Sequence, residues 1–315
     1  MGLMNRIEVK ILNPDAVTDA ERMMVAMARL TQRGHNISNM NDFLELLNKP
    51  YSDKLVDSMV SLPHPTIQKF GIINVAVVGA SRRFLAQITR HQNEVKFMSG
   101  SLQYSDYSGK AQFVVPYEII KYDNENPGKH VTDLYIDGCL RDLSEYEDLV
   151  KLVGRDAAGY KMPQGMRNVL LISATPYQLK HMIRQRTCNR NTLETQYVML
   201  LIWEQLWRLS SMYHDCGPFC TTGSCPEGKM CCGKPFGGLA NPTVLLDTRF
   251  KYIRGSKLAI DKEYGKYIVT CDMCGDTLPA EDTHNDARRA VKEAGWSTKI
   301  VAGEWINICP ACEEV

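Results

Sequence analysis

Ile7 to Leu12 alternates apolar and polar side chains, the two-residue period of a half-buried strand, and Asn13-Pro14-Asp15 then supplies turn chemistry. Thr18-Asp19-Ala20-Glu21 has the spacing of a capping box, and Met23, Met24, Met27 and Leu30 follow on one helical face before Gly34. The spacing predicts a helix over 18–33. Ile72 to Val78 is rich in β-branched apolar residues and reads as a buried strand. Arg82 to His91 returns to helical spacing, with Phe84, Leu85 and Ile88 inward. Pro176 suits the first turn of a further helix, where its missing N–H costs nothing, and Leu179, Met182 and Ile183 follow.

A last long helix is expected over 192–213. Its apolar stretch, Tyr197 to Leu209, is interrupted by Glu204 and Arg208 and falls short of the roughly 20 apolar residues that a membrane span requires. It reads as a buried helix, so no membrane association is expected. Strands and helices mix without regular βαβ alternation, which points to an α+β fold.

The periodic pattern breaks near Cys216, where Gly, Pro, Cys and Lys replace it. The expected organisation is a catalytic-sized domain over 1–215, a Cys-rich linker or metal loop over 216–250, and a metal-binding module over 251–315. With 315 residues, 44% of them hydrophobic, the chain can bury a large core and carry a small appendage. The formal charge of +1 supplies no general field toward nucleic acid or anionic lipid. Met1 to Lys10 lacks the basic and apolar pattern of a secretory signal, so a cytoplasmic address is expected.

Nine of the eleven cysteines fall between Cys216 and Cys312, at spacings that suit metal better than disulfides. Cys271-x2-Cys274 and Cys309-x2-Cys312 have the paired spacing of a zinc ribbon, in which four thiolates surround one ion tetrahedrally. The second group runs Cys216-x3-Cys220-x4-Cys225-x5-Cys231-Cys232. Cys216, Cys220, Cys225 and Cys231 are expected to hold a second zinc, with an iron–sulfur cluster or plain loop packing as alternatives. Cys139 and Cys188 stand apart and read as packing thiols. Residues 251–315 carry nine Lys/Arg against eleven Asp/Glu, so the module lacks the basic face of a nucleic-acid binder, and a stabilising or assembly role is expected.

The segment Arg90-His91-Gln92-Asn93-Glu94, followed by Ser99-Gly100-Ser101-Leu102-Gln103-Tyr104, resembles the signature of flavin-dependent thymidylate synthases, with Arg90, His91, Ser101 and Tyr104 matching. Around it, His64-Pro65-Thr66 resembles that family's flavin-contacting His-x-Thr, Gln87 its nucleotide-binding glutamine, and Ala28-Arg29-Leu30-Thr31 its Ala-Arg-x-Ser. Downstream, Met162-Pro163 resembles the family's Leu-Pro, and Arg186 and Glu194 fall at the first and last positions of its Arg-x4-Ala-Gln-x-Glu element. The resemblance spans about residues 20–210.

It implies reductive methylation at C5 of deoxyuridine monophosphate (dUMP), with carbon from methylenetetrahydrofolate, hydride from reduced FAD and NADPH as the usual reductant. It also implies a homotetramer with sites built between subunits. By motif, Thr31, His64, Thr66, Arg90 and His91 go to FAD, and Gln87, Ser101, Gln103 and Arg186 to the nucleotide. Arg186 nearest the pyrimidine and Ser101 near phosphate and base are the catalytic candidates. Arginine suits such a place, because a fixed cation stabilises charge that develops on the ring. His181 falls near the flavin by the same alignment.

Several departures remove charge. Gln92, Ser99 and Gln103 replace two arginines and an acid of the signature, and Gly159 stands where the family has a phosphate-binding arginine. Lys161, Arg155 or another cation is then needed as a substitute. Asn191-Thr192 also replaces the family's Ala-Gln. These changes motivate two alternatives: a flavin and folate enzyme acting on another pyrimidine nucleotide, for example by hydroxymethylation, and a non-catalytic flavin- or nucleotide-binding partner protein.

Overall fold

The computed structural model describes residues 7–62, 64–221, 224–233, 241–254, 260–263, 266–269, 271, 276–301 and 304–313. Its centre is an antiparallel sheet of β1 (Glu8–Ile11), β2 (Ile73–Ser81), β3 (Val95–Ser99) and β4 (Arg167–Ala174), in the order β1-β2-β4-β3. Ile73, Val75 and Val77 of β2 and Leu170, Ile172 and Ala174 of β4 point to one face and are fully buried, as the two-residue period demands. The other face stays open although it too is apolar. Val78 pairs with Val169, and Met98 pairs with Leu171, and all four are exposed.

Helices α1 (Asp15–Arg33), α2 (Met40–Asn48), α3 (Asp53–Val60), α4 (Arg82–Ile88), α5 (Tyr117–Glu125), α6 (Val131–Val153), the single turn α7 (Arg155–Ala158), α8 (Pro176–Arg186) and α9 (Leu193–Leu209) complete the main body. The core gathers Met24 and Val25 of α1, Phe84 of α4, Ile183 of α8 and Trp203 and Leu206 of α9 against the buried sheet face. Trp203 keeps its indole N–H satisfied by donating to the Tyr213 carbonyl at 2.8 Å, which lets the largest side chain of α9 be buried without penalty.

The mixed architecture agrees with the α+β expectation, and the predicted strands and helices are present with shifted ends. Helix α1 begins at Asp15, not Thr18, because the Thr18 hydroxyl donates to the Asp15 carbonyl within the helix instead of capping it. Helix α9 stops at Leu209. Ser210 then accepts from Met212 N–H and starts a separate 3-10 turn, Ser211–Tyr213.

The boundary expected at Cys216 does not separate two cores. Helix α10 (Pro242–Arg249) packs on α9, and Leu245, Leu246, Phe250 and Ile253 belong to the main apolar core, as does Cys216 itself. Beyond the short α11 (Lys251–Arg254) come the hairpins β5 (Ile260–Glu263) with β6 (Lys266–Val269) and β7 (Ser297–Val301) with β8 (Glu304–Ile308), with α12 (His284–Glu293) between them and α13 (Pro310–Glu313) last. Tyr267, Val269, Ala287 and Val291 form a small core of their own there. The Tyr267 hydroxyl donates to Asp133 Oδ1 on α6 at 2.8 Å, which ties this part to the main body.

Candidate functional site

Arg186, the last residue of α8, gathers three widely separated parts of the chain. Its Nε donates to His91 Nε2 at 2.9 Å, its Nη2 to the Gln87 carbonyl at 2.9 Å, and its Nη1 to Asn191 Oδ1 at 3.2 Å. Three of the five guanidinium N–H donors are thereby held, and the planar fork is fixed in orientation. Burial, and after it the neighbouring Arg90, pull Arg186 below the usual arginine value. Half-buried Arg186 thus stands beside a second, exposed cation, Arg90.

His91 accepts from Arg186 and is therefore neutral at Nε2. Burial first, then Arg186 and His181, lower its pKa to about 4. The His181 ring stands edge-on to His91, with centroids 5.9 Å apart, and against Phe219 at 6.2 Å. Gln87 is held from the other side, because its Oε1 accepts from the hydroxyls of Thr195 at 2.8 Å and Thr192 at 3.2 Å. The altered Asn191-Thr192 pair thus still serves the site through its own hydrogen bonds.

Glu194 does not face this cluster. Its carboxylate takes the backbone N–H of Ser81 at 2.6 Å and the Ser81 hydroxyl at 2.5 Å, which clamps the start of α4 onto α9. The geometry there depends on Gly79, where β2 bulges at φ +87° and a Cβ would lie 2.1 Å from Arg167 Nη2. Glu194 is a positioning group for the helix that carries Gln87.

A cleft lies beside His91, lined by Pro65, Gln68, Tyr177, Lys180, His181 and Arg184 among others. Lys180 and Arg184 each approach Asp215, both at 2.9 Å. Sequence reasoning passed over Tyr177, Lys180 and Arg184, although their spacing with His181 places all four on one face of α8. The apolar face of Leu179, Met182 and Ile183 dominated the pattern. Pro65 lines this cleft, and the flanking His64 and Thr66 are exposed. Thr31 and Arg90 are exposed too, and the Thr31 hydroxyl donates back to the Ala28 carbonyl. Among the described residues, Thr31, His64 and Thr66 share no hydrogen bond with the Arg186 cluster.

Ser101 and Gln103 sit on a loop after β3, where Ser101 Oγ accepts from Gln103 N–H at 3.1 Å. No hydrogen bond joins them to Arg186 among the described residues. The place of the missing arginine is taken by packing, since a Cβ on Gly159 would meet the Leu102 side chain at 3.4 Å. Lys161 turns away to Asp142 and Glu145. Arg155 reaches this loop, with Nη1 donating to the Tyr104 carbonyl at 3.1 Å.

The cysteines divide differently from their spacing. Cys216 is buried in the main core, where loss of solvent lifts its thiol pKa to about 12, and it does not line the cleft that holds its expected partners. Cys188, expected to be isolated, lines that cleft with Cys220, Cys225, Cys231 and Cys232. In the C-terminal part, Cys271 and Cys309 are both buried, and Cys309 N–H donates to Cys271 Sγ at 3.4 Å. Cys274 and the side chain of Cys312 lie outside the described residues. Among the described residues, no three His, Cys, Asp or Glu side chains come close enough to hold one metal ion.

An antiparallel sheet with one helical face, carrying an arginine fixed by three hydrogen bonds, defines an α+β protein. The model of the family described as thymidylate synthase complementing protein matches residues 15–210, and the chain belongs to that family. A protein from Geobacter sulfurreducens named flavin-dependent thymidylate synthase is 24% identical over 219 residues, covering 69% of this chain and 90% of that one. One of the same name from Clostridium tetani is 21% identical over 248 residues, covering 72% and 94%. Among solved structures, a UMP/dUMP methylase, PolB, from Streptomyces cacaoi bound with 5-Br dUMP shares the fold, with a TM-score of 0.51 at 17% identity over 68% of this chain and 95% of that one.

Proposed function

We propose that this protein transfers a one-carbon unit from methylenetetrahydrofolate to C5 of dUMP, giving dTMP, with FAD as cofactor and NADPH as reductant. The observation that carries this reading is the Arg186 fork, which joins Gln87 and His91, the two residues that the family motif assigns to nucleotide and flavin. Two guanidinium N–H donors remain beyond the three already held, available to the pyrimidine carbonyls. A fixed cation there favours the electron-rich ring that C5 chemistry requires, without reorganisation at the moment of reaction.

The residues present fit a flavin. Lys180 and Arg184, already held by Asp215, and His181 line the cleft with donors that a pyrophosphate would share with that carboxylate, and His64, Thr66, Arg90 and Thr31 stand exposed for the same ligand. Reduced FAD, when bound, supplies the hydride. Neutral His91 holds the Arg186 guanidinium in place, and Ser101 and Gln103 take the phosphate side, with Arg155 as the cation nearest their loop.

The open apolar sheet face of Val78, Met98, Val169 and Leu171 supports self-association, and the exposed flavin residues accord with a homotetramer whose sites lie between subunits. Zinc is proposed at Cys271, Cys274, Cys309 and Cys312. The N–H to Sγ bond from Cys309 to Cys271 brings one member of each pair together, which supports that reading.

A second reading is favoured by the Gly159–Leu102 packing and by Lys161 turning away, which leave Arg155 as the only one of the two expected substitutes at the loop. In it the same chemistry serves another pyrimidine nucleotide. Purified protein assayed for turnover of dUMP and of deoxycytidine monophosphate with methylenetetrahydrofolate separates the two. Turnover of dUMP supports the first reading, and turnover of the cytidine nucleotide alone supports the second.

A further inference from the structure

Five cysteines line one cleft of about 170 Å³ that opens to solvent beside α8. Cys188 comes from the turn between α8 and α9, inside the family-matched region, whereas Cys220, Cys225, Cys231 and Cys232 come from the segment that follows it. The two parts are held against each other independently of the thiols, since Arg190 Nη1 donates to the Met230 carbonyl. Cys225 and Cys231 are near enough to share a hydrogen bond, and Gly233 N–H donates to Cys231 Sγ at 3.4 Å.

We propose that four of these five cysteines, Cys188 among them, ligate an iron–sulfur cluster that bridges the α8–α9 turn and the Cys-rich segment. A single zinc draws its sulfurs to about 2.3 Å from one point. A cluster takes Cys thiolates on several irons and so accepts sulfurs that stand farther apart. The described side chains fit the second case, because five thiols, one more than a four-coordinate zinc takes, are spread along the wall of one cleft and come from two separate parts of the chain. The wall also contains Arg190, and the nearby Arg249 guanidinium is fixed to the Thr187 carbonyl at 2.9 Å and to Gln196 Oε1 at 2.5 Å. Cations so placed balance the negative charge of a thiolate-ligated cluster. Cys216, excluded by its burial in the apolar core, is no ligand. None of this rests on the nucleotide reading.

The full chain, purified without oxygen and then incubated with ferrous iron and sulfide, is assayed for iron, zinc and acid-labile sulfide per chain and, after dithionite reduction, by electron paramagnetic resonance. Iron and labile sulfide are expected in the unaltered protein, in Cys216→Ser and in the double variant Cys271→Ser/Cys309→Ser. Loss of labile sulfide is expected in Cys188→Ser and, where that variant fails to fold as judged by circular dichroism, in the double variant Cys231→Ser/Cys232→Ser, which leaves only three of the five thiols. Absence of iron and sulfide uptake, zinc alone at this site, or full sulfide in whichever of these two variants folds overturns the proposal.

Discussion

Arg186 Nε lies 2.9 Å from His91 Nε2, so the histidine must be the acceptor and its proton must sit on Nδ1. The folded pKa of about 4 lies below the ordinary 6.5, through burial and then the charges of Arg186 and His181. The unfolded chain therefore binds more protons between these two values, and stability rises with pH across that window. His91 contributes fully above pH 6.5, and its contribution is lost as the pH falls toward 4. Ring resonances of His91 followed by NMR are expected to stay those of the neutral form from pH 8 to 5, and a midpoint near 6.5 contradicts the arrangement.

Replacing Arg186 by lysine keeps the charge and removes the fork. A hydrogen bond to a charged group contributes about 1.5 to 3 kcal/mol, so dUMP affinity is expected to fall roughly 10- to 100-fold. Equilibrium titration of Arg186→Lys against the unaltered protein measures it, and unchanged affinity removes Arg186 from the nucleotide site.

Glu194 is buried, which raises its carboxyl above the usual range, and it accepts two hydrogen bonds from Ser81. Glu194→Ala orphans both donors and is expected to cost on the order of 3 kcal/mol in chemical denaturation. Glu194→Gln retains an acceptor and is expected to cost much less. The protonated form is favoured in the fold, so this residue's share of stability grows as the pH falls through its raised pKa toward 4.5.

Gly159→Arg restores the charge that the family motif has and this chain lacks. Its backbone is in the ordinary right-handed helical region, φ −55°, so a side chain is admitted there, with Leu102 as the neighbour at 3.4 Å. Calorimetry with dUMP is expected to show several-fold tighter binding. Weaker or equal binding means that the phosphate does not lie at this loop.

Substituting Leu171→Glu places a charge on the open sheet face beside Met98. Light scattering is expected to show a smaller assembly than the unaltered protein, together with weaker FAD retention, because the exposed flavin residues then lose their neighbouring subunit. An unchanged mass excludes this face as the interface.

The chemistry of the site was more legible than its packing. Gln87, His91 and Arg186 were singled out by resemblance to the family's motifs, and the fold brings them within hydrogen-bond reach. Of the central sheet, β1 was legible by its two-residue alternation and β2 by its apolar run, whereas β3 and β4 were not read from the sequence. Glu194 was legible as a motif acid but not as the clamp on Ser81, since nothing local tells a buried acceptor from a ligand contact. The incorporation of Leu245, Leu246 and Phe250 into the main core was hidden because the surrounding Gly, Pro and Cys look like a linker. Cys188 was misplaced for a related reason, as its partners come from a later segment of chain and share no spacing with it.

The central claim is that the Arg186 cluster holds a pyrimidine nucleotide against a flavin for chemistry at C5. FAD-loaded protein titrated with dUMP, followed by flavin absorbance and then by tritium release from C5 of labelled dUMP, tests it most directly. The account predicts a saturable change in the flavin spectrum with release of tritium. FAD binding with neither response contradicts it.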